Sequence, residues 1–485
     1  MKRAPERLTR RTFLRTAASL AGAAGIGAAA PYRMARAEAT ASEMRIYRRN
    51  EAGYEDLRRA LVWQAIKPNR YPARIVEVHS VNDVVTALAG ARSEKKRVSL
   101  VSGGHNYVGN GLRDDTVLIH LGNLNEVSVD KAMRTAVLQP GARALPFDEL
   151  LEREGLAFPV PHSPTVGLAG FLLGGGMGWN AESWNYFACF NLRSIEAVLA
   201  SGESVAANST QHPDLFWAAR GGGPYFPAVV TRFHVNIFPR PAAIRESSWV
   251  YSIDAAPAVI AWLEKVHPLQ DPKVELTLIF ATSDPADTND KAKKQCIVSL
   301  VCFGDTAAEA KHLYEVLADS APREGLVFKE LEKPVSIQTL LLEDKASIPN
   351  RHCVETLWTN QPTEAAHILA KQFPSVPSPR AVLVLNYRAR PVVPSEGAYS
   401  VVGSAFVFSD VSWDDPNDDA VCQRWSDGFV ASVSTIDKGA YINETEIVRH
   451  PARAKQCFSA ESWSRLKQVV AGYDPQGLFV SPLNP

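Results

Sequence analysis

Two runs of three consecutive glycines most constrain what this 485-residue chain can fold into. They lie in VGLAGFLLGGGMGW, residues 166–179, and in WAARGGGPYF, residues 217–226, and apolar or aromatic residues flank both. Because a glycine in a helix costs about 1 kcal/mol relative to alanine, such runs are kept mainly where a backbone approaches another group closely. A third segment, LVSGGHNYVGNG at residues 100–111, places His105 among glycines. Its ordinary explanations are a turn, a helix start or a core histidine, and the more specific one is a backbone nest for phosphate.

The composition is that of a globular protein with two or three domains. Hydrophobic residues make up 46% of the chain, and 52 basic residues balance 52 acidic ones. Because no basic field results, we expect neither nucleic acid nor an anionic lipid surface as a partner. The six cysteines lie far apart without a C-x-x-C pair, which predicts buried thiols and no metal site.

The first 37 residues have the pattern of an export signal. TRRTFLR at residues 9–15 precedes a short apolar run, and the small-residue stretch ARAEA provides a cleavage site near Ala37. The paired Arg10 and Arg11 are typical of the twin-arginine route, which carries folded proteins. The apolar run is too short for a stable membrane span of about 20 residues. We therefore expect a periplasmic or secreted protein, the alternative being an amphipathic N-terminal helix.

The pattern of predicted elements changes near residue 241. Residues 73–130 alternate short β-branched runs with helical segments, as in RIVEVHS followed by VNDVVTALAGARSEKK. Residues 241–437 combine strand-like runs such as VELTLIFAT and KQCIVSLVCFG with amphipathic helical stretches. Long strands separated by such helices predict an antiparallel sheet with helices on one face. The chain is therefore expected to be an α+β protein.

Five segments occur in an order that resembles one family. They are SGGHNYVG, HSPTVGLAGFLLGGGMGW, DLFWAARGGGPYFPAVVTRF, YINETE and YDPQGLF. Together they resemble the FAD-linked oxidases of the vanillyl-alcohol oxidase type, in the branch related to berberine bridge enzyme and the oligosaccharide oxidases. The resemblance implies a two-part PCMH-type FAD-binding domain over residues 38–240 and a substrate-binding domain over residues 241–437. It also implies a berberine bridge enzyme-like segment over residues 438–485 that returns to the FAD domain.

The resemblance further implies which residues hold FAD. Amides of the glycine turn would bind the pyrophosphate, and His105 would bond covalently to the 8α-methyl of the flavin, with a non-covalent contact as the alternative. The implied cofactor-binding residues are Ser102, Gly103, Gly104, His105, Asn106, Thr165, Gly167, Gly170, Gly174, Gly175, Gly176, Gly178, Trp179, Val198, Val230 and Asn443.

Two positions depart from the family pattern. Ser163 stands where many relatives have a cysteine that forms a second flavin link, and a hydroxyl lacks the nucleophilicity of a thiolate. A single covalent attachment is therefore the most that we expect. Phe190 replaces an aspartate that relatives usually have, which leaves the flavin contacts after Trp179 open.

For catalysis, the resemblance points to the segment GAYINETE. Tyr441 would remove the substrate hydroxyl proton as hydride passes to flavin N5, and this role requires a lowered phenol pKa. Asn443 would orient the backbone or the flavin edge, and Glu444 is a rival base. The alternative is that Tyr441 is a buried structural residue.

These features predict an exported FAD-dependent oxidoreductase that works as a monomer or homodimer. It would take a hydride from an alcohol- or hemiacetal-type carbon of a small organic substrate, either a sugar or an aromatic or secondary metabolite, and pass electrons to O2 or another acceptor. Oxidative cyclisation or desaturation of a secondary metabolite and a catalytically decayed flavin-binding protein are the alternatives. Trp249, Trp358, Phe406 and Phe408 could stack on the substrate or pack in the core.

Overall fold

The computed structural model of the protein describes residues 43–283, 293–343 and 350–481. The predicted export signal at residues 1–37 lies outside this part of the chain. The strands are β1 (Arg45–Arg48), β2 (Arg74–Glu77), β3 (Val98–Val101), β4 (Val117–His120), β5 (Val127–Asp130), β6 (Thr135–Leu138), β7 (Leu156–Ala157), β8 (Leu192–Leu199), β9 (Ser204–Ala207), β10 (Ala228–Asn236), β11 (Phe238–Pro239), β12 (Ala243–Ser252), β13 (Val274–Thr282), β14 (Lys294–Gly304), β15 (Leu326–Val335), β16 (Arg351–Thr359), β17 (Val382–Tyr387) and β18 (Ala405–Trp413). The α-helices are α1 (Tyr54–Ala60), α2 (Val81–Ser93), α3 (Ala144–Arg153), α4 (Leu168–Leu173), α5 (Pro213–Ala219), α6 (Ala256–Val266), α7 (Ala307–Ala318), α8 (Ile337–Glu343), α9 (Pro362–Gln372), α10 (Asp419–Ser432), α11 (Pro451–Gln456) and α12 (Ala460–Tyr473).

A four-stranded sheet in the order β1-β2-β4-β3 carries the glycine turn at the end of one strand. β2 and β3 each pair in parallel with β4, and α2 makes the crossover between β2 and β3. This helix begins with a capping box, in which Ser80 and Asp83 each accept a hydrogen bond from the backbone N–H of the other. Because β3 ends at Val101, the turn leaves from the carboxyl end of a parallel strand, the usual place for a ligand in such sheets.

A five-stranded antiparallel sheet in the order β5-β6-β10-β8-β9 packs beside the first. The buried face of α2, which includes Val84 and Leu88, fills the space between the two sheets. It shares one core with Ile119 of β4 and Val198 of β8.

In the described ranges, no helix is long and apolar enough to cross a membrane.

The third sheet has seven antiparallel strands in the order β15-β12-β14-β13-β17-β18-β16. Alternate residues of a strand point to opposite faces, so Leu276 and Leu278 of β13 join one core while Ile279 joins another. Helices α6, α7, α9 and α10 cover the Leu276 face. This confirms the predicted α+β class with an antiparallel sheet whose helices lie on one face. The opposite face carries Glu275 and Thr277.

The last part of the chain returns to both earlier sheets. Lys438 and Gly439 form two backbone hydrogen bonds with Trp358 of β16, at 2.8 and 2.7 Å. After α12, the backbone around Phe479 pairs with Val98 of β3, through bonds of 2.7 and 2.8 Å. The C-terminal segment is therefore tied to the seven-stranded sheet at its start and to the first sheet at its end. The domain boundaries at residues 240 and 437 stay predictions.

A buried ion pair joins α3 to the chain that follows β11. Asp148 of α3 is 0% exposed, and both of its carboxylate oxygens accept from Arg240, at 3.0 and 3.1 Å. Burial raises the pKa of Asp148, and the guanidinium of Arg240 opposes that rise. Removing one partner of such a pair leaves a buried charge without compensation, which typically costs about 3–5 kcal/mol.

We expect Arg240→Met to lower the free energy of unfolding by about 3 kcal/mol, because Asp148 would remain buried without its cation. Urea unfolding followed by intrinsic fluorescence measures the loss. The matched control is Arg232→Met, since Arg232 pairs with Glu196 at 2.7 Å but both side chains are more than one third exposed. That substitution should cost less than about 1 kcal/mol. Equal losses in the two variants would contradict the expectation.

Candidate active site

A cavity of about 370 Å³ has walls from three parts of the chain. The first wall runs from β3 through the glycine turn, and the second comes from residues 161–178. The third is formed by the open face of the seven-stranded sheet together with residues 441–444. The predicted residues that line this cavity are Ser102, Gly103, Gly104, His105, Asn106, Gly167, Gly170, Gly178, Val230, Tyr441, Asn443 and Glu444.

Two glycines from different segments meet beside this cavity. A Cβ on Gly103 would lie 2.6 Å from the Cα of Gly167, closer than real Cβ contacts allow. Gly104 has a φ of +73°, and a Cβ there would lie 2.8 Å from the carbonyl oxygen of Leu61. The backbone N–H groups from Gly103 to Asn106 donate to no acceptor in the described ranges. Because successive unpaired amides form an anion-binding nest, the turn fits a phosphate group.

His105 is held in one orientation by two contacts. Its Nε2 is hydrogen bonded to Thr165 Oγ1 at 2.9 Å, and its ring stacks on Trp63 at a centroid distance of 5.4 Å. Burial lowers the pKa of His105 to about 3, and the positive charge of Arg143 adds to this effect. The imidazole is therefore neutral at physiological pH, with Nδ1 left for another partner.

Of the two residues that depart from the family pattern, Ser163 lines the cavity and Phe190 does not. Ser163 is 1% exposed and lines the cavity, yet its hydroxyl has no hydrogen-bond partner in the described part of the chain. A buried hydroxyl without a partner costs about 1–3 kcal/mol, which fits a polar ligand atom at this place. Phe190 packs beside Gly397 and does not line the cavity.

Gly174, Gly175 and Gly176 pack against the C-terminal segment. The sequence assigned this run to the cofactor, but none of its residues lines the cavity. A Cβ on Gly174 would lie 1.9 Å from Oδ1 of Asn443, and the N–H of Gly176 donates to Tyr441 Oη at 3.1 Å. The run does make room for a close neighbour, and that neighbour is the C-terminal segment.

Three other predicted residues also lie away from the cavity lining: Thr165, Trp179 and Val198. Thr165 contacts the site only through its hydrogen bond with His105. Trp179 packs edge-on against His162 at a centroid distance of 4.4 Å, one layer behind the wall. Val198 is fully buried in the core between the first two sheets.

Tyr441 accepts hydrogen bonds from three donors. The N–H groups of Gly176 and Met177 point to its hydroxyl at 3.1 and 3.3 Å, and Nδ2 of Asn443 does so at 3.0 Å. Burial nevertheless raises the pKa of Tyr441, and the nearby Glu444 adds to the rise while the three donors oppose it. Tyr441 therefore lacks the lowered pKa that a tyrosine base requires, and the phenol keeps its proton at neutral pH.

Glu444 has the electrostatics of a base that works near neutral pH. It lines the cavity, and burial raises the pKa of its carboxyl group to about 7. The imidazole of His162 opposes this rise, whereas the negative charge of Asp410 adds to it. A carboxyl group with such a pKa is half ionised near pH 7 and can take up and release a proton there.

Sequence reasoning missed most of the residues that the seven-stranded sheet contributes, namely Glu275, Thr277, Val384, Asn386 and Arg388. Two aromatic residues that it did name, Phe406 and Phe408, also line the cavity. Of the other two aromatic candidates, Trp249 lies in the helix-covered core and Trp358 in the opposite core, away from the cavity lining. A sequence signal for these residues was available. Glu275 and Thr277 on β13 are two residues apart, as are Asn386 on β17 and Arg388 just after it, and this spacing places each pair on one face of a strand.

The polar groups of this wall are held by neighbours. Asn386 Nδ2 donates to Thr277 Oγ1 at 3.0 Å, and the guanidinium of Arg388 lies 3.2 Å from Glu182. Across the cavity, His162 Nε2 lies 3.5 Å from a carboxylate oxygen of Glu275. The wall therefore offers hydrogen-bonding groups in fixed positions beside apolar rings.

Comparisons with known proteins cover the same regions. Residues 72–208 match the family described as FAD binding domain. The FAD-linked oxidoreductase penO of Penicillium crustosum is 28% identical over 433 residues, which span 88% of this chain and 93% of that protein. The xylooligosaccharide oxidase of Thermothelomyces thermophilus is 35% identical over 173 residues, which span 35% of this chain and 34% of that protein. The solved structure of Physcomitrella patens BBE-like 1 has a TM-score of 0.77 at 21% identity and covers 90% of this chain and 96% of that one.

The geometry of the cavity agrees with these comparisons. The matched region contains the glycine turn with its unpaired amides and the unpartnered Ser163 hydroxyl, so the residues present fit FAD. The predicted cofactor is confirmed, and so is the resemblance on which it was based. The chain therefore has an FAD-binding domain over residues 72–208, is similar over most of its length to FAD-linked oxidoreductases, and has the fold of the berberine bridge enzyme-like proteins.

Proposed function

We propose that this enzyme oxidises an alcohol- or hemiacetal-type carbon of a small organic molecule, with Glu444 as the base that takes the hydroxyl proton. The observation that carries the proposal is a carboxyl group with a pKa of about 7 at the wall of the cavity, next in sequence to Asn443 and close to Tyr441. Bound FAD supplies the hydride acceptor, and O2 or another acceptor reoxidises it.

Tyr441 has a different role in this proposal from the one its sequence motif suggested. Because the phenol keeps its proton, it donates a hydrogen bond to a substrate oxygen instead of removing a proton. Asn443 fixes the phenol, since its Nδ2 donates to both Tyr441 Oη and the carbonyl oxygen of Phe171. Two such groups beside one cavity argue against a catalytically decayed protein.

The substrate wall favours a molecule with hydroxyl groups and an apolar face. Phe406 and Phe408 supply the apolar surface, and Asn386 of the neighbouring strand β17 and Arg388 just after it supply hydrogen-bonding groups. One relative carries the name of an oxidase of xylooligosaccharides, which supports a sugar as one member of the substrate class. An aromatic or secondary-metabolite alcohol is the other.

The test of the base uses anaerobic flavin reduction, with whichever sugar or aromatic alcohol of a panel bleaches the flavin. The ionised form of Glu444 is the active one, so the rate should rise with pH and reach half of its maximum near pH 7. Glu444→Gln should lower the rate by about 100-fold or more and remove this inflection, and Tyr441→Phe should lower the rate by less.

Glu446→Gln is the matched control, because Glu446 belongs to the same segment but does not line the cavity. It should keep both the rate and the inflection. A Glu444→Gln enzyme with the wild-type pH profile would remove Glu444 from the reaction, and a panel in which no alcohol bleaches the flavin would refute the proposed reaction class.

We also propose that FAD is attached to the protein through one covalent link, to His105. In the tautomer whose Nε2–H donates to Thr165 Oγ1, Nδ1 of the neutral imidazole has the free lone pair and is the nucleophilic atom. Ser163 supports the absence of a second link, because its hydroxyl is not ionised near neutral pH.

Acid precipitation tests this attachment. The flavin of the wild-type protein should remain with the precipitate, whereas His105→Gln should release it into the supernatant. Thr165→Val should slow attachment, and His234→Gln, a change at a partly exposed histidine of β10, should leave it intact. Free flavin in the wild-type supernatant would refute the covalent link, and a flavin found on a peptide containing Ser163 would refute the single link.

We also propose that residues 1–37 direct export by the twin-arginine route to the periplasm or the medium. The support is the sequence pattern of paired arginines, apolar run and small-residue cleavage site. Replacing both Arg10 and Arg11 by Lys should keep the flavoprotein in the cytoplasmic fraction of the cells that express it. An unchanged distribution between fractions would contradict this route.

A further inference from the structure

We propose that Thr356 is a positioning residue. Its hydroxyl group holds the segment from Tyr441 to Thr445 in the position that places Tyr441 and Glu444 correctly at the cavity. The inference rests on the proposed function, because it concerns where Tyr441 and Glu444 stand relative to the cavity. Thr356 belongs to β16, does not line the cavity and has no role in the proposed reaction itself.

The hydroxyl of Thr356 contacts both ends of this segment. Its Oγ1 accepts from the backbone N–H of Tyr441 at 3.2 Å and is hydrogen bonded to Oγ1 of Thr445 at 2.6 Å. Thr356 is 1% exposed and Thr445 is 3% exposed, so water does not compete for these bonds. One oxygen atom therefore fixes the first and the last residue of the segment in a dry environment, where each hydrogen bond restricts motion most.

Thr356 is itself held in place. The carbonyl oxygen of Thr356 accepts from Nη2 of Arg453 at 2.7 Å, and Nη1 of the same arginine donates to Asp437 at 3.0 Å. Two residues further along β16, Trp358 forms its pair of backbone bonds with Lys438 and Gly439. The chain on both sides of the segment is thus bound to the same strand.

The hydroxyl group of Tyr441 is fixed by a different part of the protein from the one that holds its backbone. Its hydroxyl is held by the amides of Gly176 and Met177, while its backbone amide is held by Thr356. Losing the backbone contact would let the segment tilt about the phenol and would move Glu444, whose amide is bonded to the carbonyl oxygen of Tyr441. Misplacement of a reacting group by about 1 Å can lower a rate by about 100-fold.

The experiment compares Thr356→Val, which keeps the shape and removes the hydroxyl, with Thr356→Ser, which keeps the hydroxyl. Thr359→Val is the matched control, because Thr359 is also fully buried on β16 but its hydroxyl accepts from the amide of Gln361 at the start of α9. Each variant is purified with its FAD, and the flavin content and the rate of anaerobic flavin reduction are measured across the neutral pH range.

Thr356→Val should reduce its flavin at least about 10-fold more slowly than the wild-type enzyme at unchanged flavin content. Its pH profile should also shift to lower pH, because a loosened segment exposes the Glu444 carboxyl to water and relieves the burial that raises its pKa, while His162 and Asp410 stay in place. Thr356→Ser should restore the rate and the profile, and Thr359→Val should change neither.

Wild-type kinetics in Thr356→Val would overturn the inference, and so would a Thr356→Ser variant as slow as the valine variant. If Thr356→Val fails to retain FAD, Thr445→Val breaks the same hydroxyl pair from the other side, and a wild-type rate and profile there would equally overturn it. Glu444→Gln separates this inference from the proposed function. If Glu444→Gln is slow while Thr356→Val reacts at the wild-type rate, only the positioning role is refuted. If Glu444→Gln reacts at the wild-type rate, the proposed base is refuted.

Discussion

The close contact between Gly103 and Gly167 is the constraint on which the rest of the site depends. These two residues bring the turn after β3 against the segment that precedes α4, with no room for a side chain on either. The contact places a row of amides without acceptors in the described ranges at the cavity wall, and it brings Thr165 within hydrogen-bond distance of His105. The anion nest and the orientation of the imidazole are therefore two results of one backbone approach.

Burial separates the roles of the two ionisable groups at the end of the segment GAYINETE. It raises the pKa of both Tyr441 and Glu444, but the two start from different values. A phenol that becomes harder to ionise stays a hydrogen-bond donor, while a carboxyl group raised to about 7 becomes a base suited to neutral pH. The same low-dielectric surroundings thus give a donor and a base from neighbouring residues of one short segment.

Much of the fold and part of the site could be predicted from the sequence. The strand-like run VELTLIFAT predicted a strand that the structure has over Val274–Thr282, and the glycine-rich turn that was predicted to hold FAD lines the cavity. The neighbour of Gly174 could not be predicted, because a glycine run indicates a close contact without indicating its partner; the structure has the side chain of Asn443 there. Arg388 and Glu275 were missed because they join the site only through the pairing of β13 with β17, a long-range contact that no local motif records.

The pairing of the chain end with β3 also determines when the cofactor site can form during synthesis. Phe479 and Val480 line the same cavity as the glycine turn, although nearly four hundred residues of sequence separate them from Val98. A nascent chain whose residues 478–480 have not yet left the ribosome cannot close this wall, so stable capture of the dinucleotide has to follow synthesis of that segment. Truncation by a premature stop codon near the end would consequently remove part of the flavin compartment and leave the large sheet complete.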